Sequence, residues 1–211
     1  MEEFIMNEFL KIVRERRSAD KFIENITIPR EDFNDIFRDL SLAPSAFNLQ
    51  HAKYYVVEDK ELNDKVYEAA FKQYKIKTAS ATIIVTGDKN AYLSASKIYE
   101  GSMMLGMIDK TQYDIMINTI KNLYEGWGES FQHDEAIRNA SLSAMQFMLL
   151  AKNKDWDTCP MIYFDKDKMK ELLNIPENEV PAIMITMGKV DKSSSKIRGY
   201  RKPADEFVKF F

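Results

Sequence analysis

Glycine, cysteine and histidine are scarce in this chain, and their scarcity closes off several familiar chemistries. Its seven glycines form neither G-x-G-x-x-G nor a P-loop, so any bound phosphate must be gripped by side chains and not by a glycine cradle. The single cysteine, Cys159, rules out an internal disulfide and cannot complete a zinc cluster. The two histidines, His51 and His133, stand in no metal-ligand spacing, and no metal is expected. No serine sits in a nucleophile elbow. Long apolar runs are missing too: Ala182–Met187 is interrupted by Thr186 and is far shorter than the ~20 residues that span a bilayer. Charge of one sign is also lacking. With 30 basic and 33 acidic residues, the net charge of -3 gives no global attraction to nucleic acid or to an anionic membrane. Any anion site must therefore be local. The N-terminal stretch runs from acidic residues into the charged Lys11–Arg17 without the apolar segment of a secretory signal, so a cytoplasmic protein is expected.

What is present is a chain 45% hydrophobic, enough for a sizeable core. Phe4–Arg17 carries apolar residues at 5, 9, 12 and 13, the spacing of an amphipathic helix. Thr27-Ile28-Pro29 opens a second helix, with Glu31 and Asp32 at its positive end and Phe33, Ile36, Phe37 and Leu40 on one face. Ala43–Gln50 reads as a loop. Strands are expected at Lys53–Glu58, Thr82–Thr86, Pro160–Phe164 and Ala182–Met187. Helices are expected from Asp59 to about Lys72, over Asp134–Asn153, and over Lys166–Asn174. Residues at about 89–130 read as a helical excursion from the core, with Gly126-Trp127-Gly128 as a turn. Asp134–Asn153 is apolar on more than one face, so it must be covered on more than one side, by the core or by another subunit. The tail ends in Phe207, Val208, Phe210 and Phe211, which also calls for a docking surface. A few strands among six or more helices, with no strict βαβ repeat, favour α+β over a doubly wound sheet. One domain over residues 1–211 is expected.

Two basic clusters lie at opposite ends of the chain: Arg14-Glu15-Arg16-Arg17-Ser18 and Arg198-Gly199-Tyr200-Arg201-Lys202-Pro203. Guanidinium forks match phosphate oxygens bidentately, so the two clusters would form an anion clamp if the fold joined the ends. Taken alone, each reads equally as a solvated basic face. The loop Pro44–Gln50 mixes hydroxyl, amide and aromatic groups suited to the edge and face of a heterocycle, or simply to a capped turn. Cys159 has no obvious cation beside it in sequence and reads as a packed structural residue. Lys72 and Lys75 precede a strand and read as solvated unless a site recruits them.

Taken in order, these pieces resemble the nitroreductase family. The family pattern R-R-S-x-R/K-x-F reads here Arg16-Arg17-Ser18-Ala19-Asp20-Lys21-Phe22. The pattern A-P-S-S-x-N-x-Q-P-W reads Ala43-Pro44-Ser45-Ala46-Phe47-Asn48-Leu49-Gln50-His51-Ala52. The pattern G-x-D-T-x-P-M-x-G-F-D reads Asp155-Trp156-Asp157-Thr158-Cys159-Pro160-Met161-Ile162-Tyr163-Phe164-Asp165, and R-K-P-x-D-E reads Arg201–Glu206.

The resemblance implies an α+β sandwich, a mostly antiparallel sheet of four to five strands wrapped by helices, forming an intertwined homodimer. It implies FMN at the interface, with NADH or NADPH as electron donor and a small-molecule acceptor such as a nitroaromatic or quinone, reduced by ping-pong hydride transfer. Flavin N5 would carry the chemistry, with no catalytic protein group. By motif position Arg16, Arg17 and Ser18 would bind the ribityl phosphate region, and Arg201 with Lys202 would close the clamp. Ser45, Asn48 and Gln50 would reach the isoalloxazine from the partner subunit. Lys72 or Lys75 would reach the pyrimidine edge, and the backbone of Ile162 and Tyr163 would face N5. The pattern is departed from at Asp20, where the family carries a cation near the pyrimidine edge, at His51-Ala52, at Tyr163 in place of glycine, and at Ala46. An acidic Asp20 pointing at the flavin would disfavour its reduced anion, with Lys21 or Lys75 available to compensate. A non-catalytic protein that stores, senses or delivers FMN is the alternative reading.

Overall fold

The computed structural model describes residues 8–194 and 196–211. Four strands form one antiparallel sheet in the order β1-β2-β4-β3, with β1 Ala52–Val57, β2 Ala81–Asp88, β3 Asp157–Met161 and β4 Glu179–Gly188. The expected α+β class and antiparallel sheet are met with four strands. Seven helices accompany it: α1 Glu8–Glu15, α2 Arg30–Leu40, α3 Lys60–Ala69, α4 Tyr74–Thr78, α5 Ala95–Met104, α6 Lys110–Asn153 and α7 Lys166–Leu173. Among the described residues no helix is long and apolar enough to cross a membrane.

The strand period of two divides the core between the two faces of the sheet. Ile83, Val85, Ile185 and Met187 meet α2 and α6 through Phe33, Ile36, Ala140, Ala144 and Phe147. Ile84 and Met184 face the other way, toward Val66 of α3, Ile76 of α4 and Met169 of α7. A sheet covered on both sides explains why the middle of β2 is a continuous apolar run. Pro181 lies in β4, an inner strand, where a missing N–H would break the ladder. The register shifts between Val85 and Thr86, which pair with Ile183 and Pro181, so a bulge at this point accommodates the proline.

Helix α6 reaches the sheet so closely that a side chain at Gly87 is impossible. A Cβ there would sit 2.1 Å from the Ala136 carbonyl oxygen. Ala136, Ala140, Ala144 and Ala151 line the covered face of the helix and permit this approach. The opposite face leaves Leu142 48% and Met145 43% exposed. The two-sided apolar character read from sequence is therefore covered on one side within the chain.

Three sequence expectations need correction. Gly126-Trp127-Gly128 is no turn: α6 runs on to Asn153 with a kink at Gly128 alone, whose φ of 73° suits only glycine. The Gln132 side-chain amide donates to the Tyr124 carbonyl across that kink at 3.1 Å. The first helix ends at Glu15, not Arg17, because Ser18 already bridges Thr158 beside β3. Phe4 to Asn7 of that expected helix lie outside the described residues. The strand expected to reach Phe164 stops at Met161.

Residues 91–131 form a satellite core of their own, where Ala91, Ala95, Ile120 and Tyr124 enclose Leu49. Within this region His51 is fully buried, with its Nε2 3.1 Å from the Tyr124 hydroxyl. Burial above all pushes its pKa down to about 4, with nearby Lys53 adding and Asp88 opposing. The folded chain therefore refuses a proton that the unfolded chain binds from about pH 6.5 downward. Stability from this group is complete above that pH and is lost as the pH falls toward about 4, by roughly 3 kcal/mol in total. Denaturant titrations between pH 7.5 and 4 should show a wild type losing roughly this much more stability than His51→Gln. Equal acid slopes in the two proteins would contradict the assignment.

Candidate functional site

Beyond α1 the chain leaves the helix and runs along β3. Ser18 pairs with Thr158 in a single parallel bridge, and the Ala19 N–H donates to the Thr158 carbonyl at 3.0 Å. This extended run separates the side chains of the arginine pair. Arg16 turns inward toward Cys159, and Arg17 lines a cleft with Ser18, Asp20, Lys152, Asp157 and Lys192. There Arg17 donates to the Lys196 carbonyl.

The C-terminal segment returns to the same place. The Arg198 guanidinium donates to the carbonyls of Arg14 and Arg16 at the end of α1, where helix carbonyls are unsatisfied and the dipole favours a cation. Burial lowers the Arg16 pKa, and the charges of Arg198 and Arg201 lower it further, with Cys159 opposing. The charges of two C-terminal arginines are therefore felt at Arg16. Arg16 Nη1 is buried and has no hydrogen-bond partner. An unpaired buried donor among like charges is costly by itself and fits an anion such as a phosphate. Arg201 is exposed and folds back on its own segment, donating to Gly199 and Tyr200 carbonyls at 3.2 and 2.9 Å. Lys202 is exposed as well. Arg198, one member of the basic cluster, is thus the arginine that touches the α1 end.

The two candidate lysines separate. Lys72 sits on left-handed backbone and pairs with exposed Glu68 at 3.4 Å. Lys75, on α4, points to the Arg16 region: its Nζ is 3.2 Å from Cys159 Sγ and 3.8 Å from Asp20. Asp20 is held on its other oxygen by Lys196 at 3.2 Å. Asp20 is therefore no bare negative charge, and Lys75 supplies the compensation, while Lys21 is turned to Asp191 at 3.4 Å. The reading that Cys159 lacks a cation is overturned by Lys75. The two lie 84 residues apart in sequence, which no spacing argument reveals. The other half of that reading stands, since Cys159 is only 2% exposed.

Ile162 and Tyr163 follow β3 at the open edge, 76% and 66% exposed. The Gln73 amide, which the sequence reading missed, donates to the Tyr163 carbonyl at 2.6 Å. The Tyr163 ring packs on Phe71 at 4.4 Å. Tyr163 has no positive φ, so the family glycine is not needed there. Asp155, where the pattern also has glycine, does adopt φ of 59°.

Ser45, Asn48 and Gln50 belong to a different place, the loop before β1. There the Ser45 hydroxyl accepts the Gln50 N–H at 3.0 Å, and the Gln50 side chain donates to the Asn48 carbonyl at 3.2 Å. These bonds join the three residues to one another within the loop.

A family model described as the nitroreductase family matches residues 13–189. The Bacillus subtilis protein MhqN, named as an NAD(P)H nitroreductase, is 51% identical over 97% of this chain and all of its own. The crystal structure of ydfN from Bacillus subtilis, 50% identical, superposes with a TM-score of 0.94 over 97% of this chain and 99% of that one. A 27% identical protein of Exiguobacterium sibiricum, solved in complex with FMN, gives 0.88 over 97% and 98%.

Replacing Arg16 by methionine removes both the mutual repulsion and the unpaired buried N–H. Cofactor-free Arg16→Met should melt about 2–4 °C above the wild type, as a gain near 1 kcal/mol requires for a chain of this size. Added phosphate should raise the wild-type midpoint more than the variant's. A variant that melts lower without ligand would show that Arg16 is a structural residue.

Proposed function

The chain belongs to the nitroreductase family, and from that premise we propose that it is an FMN-dependent NAD(P)H oxidoreductase acting as a homodimer on a small oxidised acceptor, a quinone or nitroaromatic. The observation that carries the reading is the unpaired, buried Arg16 N–H beside Arg198 and Arg201. A phosphate monoester supplies what that group lacks, two negative charges and several acceptor oxygens.

The residues divide the work. Arg16, Ser18, Arg198 and Arg201 hold the phosphate end, with Arg17 and Lys202 adding positive field from the rim. Lys75, kept in place by Cys159 and Asp20, brings a cation to the pyrimidine edge, where it stabilises negative charge on the reduced ring. Lys72, paired outward with Glu68, is given no role. The backbone of Ile162 and Tyr163 lines the face at N5, fixed by Gln73 and by the Tyr163–Phe71 ring pair, which also limits the width of the acceptor. FMN held there would supply the hydride chemistry between NADH or NADPH and an acceptor in the same cleft. No side chain need act as nucleophile, in keeping with the sequence.

The second copy supplies Ser45, Asn48 and Gln50. Its dimer surface is the uncovered face of α6 with Leu142 and Met145, the exposed Leu10 and Val13 of α1, and the tail with Phe207, Phe210 and Phe211. So many large apolar side chains left in water on one chain call for a partner of the same kind.

The purified protein should show the visible absorption of bound flavin, bleach with NADH or NADPH under anaerobic conditions, and recover on addition of a quinone. A flavin that stays oxidised favours a storage or delivery protein, and a colourless protein that ignores FMN contradicts the proposal. Equilibrium titration with FMN should rank the arginines. Arg198→Ala should weaken binding roughly tenfold or more, and Arg17→Ala only about two- to threefold, because Arg17 faces the neighbouring cleft. The reverse order would contradict the division of roles.

A further inference from the structure

The loop before β1 is held in an unfavourable shape. Phe47, Asn48 and Gln50 have φ of 50°, 53° and 53°, the left-handed region that a residue with a Cβ avoids. Three such residues within four positions persist only where the surroundings over-determine them. Two elements grip the loop from outside. From α5, the Tyr99 hydroxyl donates to the Phe47 carbonyl at 3.0 Å. From α6, the Asn139 side-chain oxygen accepts the Ala46 N–H at 2.7 Å, across 93 residues of sequence.

Asn139 is 3% exposed, and its amide can face only one way. Its oxygen meets a donor, while its nitrogen donates to both the Glu135 carbonyl at 2.7 Å and the Glu135 carboxylate at 3.1 Å. Glu135 is itself 5% exposed and is paired with Arg138. Only a group that accepts on one side and donates on the other satisfies this site. An aspartate would set two carboxylates together in the interior, and an alanine would leave the Ala46 N–H without its acceptor.

We infer that Asn139 is a positioning residue for the flavin site of the partner protomer: through Ala46 it fixes the loop that presents Ser45, Asn48 and Gln50. The inference rests on the FMN reading above. It links the long helix that carries the proposed dimer surface to the loop that crosses it, so that one buried amide sets part of a pocket in the other subunit.

The test is FMN titration of the dimer, followed by binding affinity and by the visible absorption and circular dichroism of the bound flavin. Asn139→Ala and Asn139→Asp should each bind FMN about tenfold more weakly, with altered flavin dichroism and unchanged far-ultraviolet dichroism. The double variant Asn139→Asp/Glu135→Gln again places one carboxylate and one amide in the pair. It relieves the clash of two carboxylates but leaves the main-chain carbonyl of residue 135 without its donor, so it should bind FMN about threefold more tightly than Asn139→Asp without regaining wild-type affinity, and should move the flavin spectrum back toward that of the wild type. Tyr99→Phe, which removes only the grip on Phe47, should shift the spectrum in the same direction and serves if Asn139→Ala does not fold. Wild-type affinity and spectrum in Asn139→Ala, or in Tyr99→Phe should that stand in for it, overturn the inference, as does a double variant no better than Asn139→Asp. A wild type that ignores FMN overturns the functional reading instead.

Discussion

The structure is organised around a repulsion. Both ends of the chain bring guanidinium groups to one place: Arg16 from the end of α1, and Arg198 and Arg201 from the C-terminal segment. Each is drawn there by something local. Arg16 turns inward where the chain pairs with Thr158, and Arg198 is fixed by the α1 carbonyls. A buried Arg16 N–H is left unpaired, and the positive charges of Arg198 and Arg201 lower the Arg16 pKa beyond the effect of burial. Among the described residues His51 Nδ1, Ser80 Oγ and Thr158 Oγ1 are also buried without a partner, but Arg16 alone among these atoms belongs to a guanidinium under the influence of other positive charges, and that combination points to a function at this place. An anionic ligand at this place would convert the cost into binding energy, because the Arg16 donor is already desolvated.

The scaffold explains how so few glycines suffice. A side-chain clamp does without a glycine cradle. The chain uses glycine instead where backbone geometry requires it, at Gly87, where α6 presses on β2, and at Gly128, where α6 bends. Elsewhere left-handed backbone is carried by residues with side chains, among them Asn48, Gln50, Lys72 and Asp155. Several of these lie beside the candidate site, where strain must be held by specific contacts. The grip of Asn139 on Ala46 and of Gln73 on the Tyr163 carbonyl are such contacts. The pocket edge is thus shaped by polar partners from other segments more than by its own loop sequence.

The periodic parts of the fold were legible in the sequence. The apolar face of α2, three of the four strands and the α+β class follow from spacing, because burial on one face or both imposes a period, while β3 lies three residues earlier than its expected Pro160–Phe164. The bend in α6 was misread as a turn because two glycines around a tryptophan look like a break, whereas only Gly128 leaves the helical region. The arginine clusters and the loop with Ser45, Asn48 and Gln50 were visible as motifs, but their geometry was not. Nothing in the spacing says that Arg16 and Arg17 diverge, that Lys75 and not Lys72 reaches Cys159, or that Arg198 and not Arg201 caps α1. Asn139 and Gln73 carried no signal at all, since a buried amide in a helix and a polar residue in a turn are both commonplace. Tertiary hydrogen bonds have no period, and a single sequence does not record them.

The dimer and the cofactor are linked in this account by one surface. The chain leaves Leu142, Met145 and the tail phenylalanines uncovered, and it separates Ser45, Asn48 and Gln50 from the arginine cluster. In the proposed homodimer a second copy would cover the first set and reunite the second. The most direct test of the central claim is a crystal structure of the protein grown with FMN. The account predicts the phosphate of the flavin within hydrogen-bonding distance of Arg16 Nη1 and of a guanidinium from the 198–201 segment, with the partner's loop against the ring. A phosphate bound elsewhere, with Arg16 Nη1 still unpaired, would contradict it.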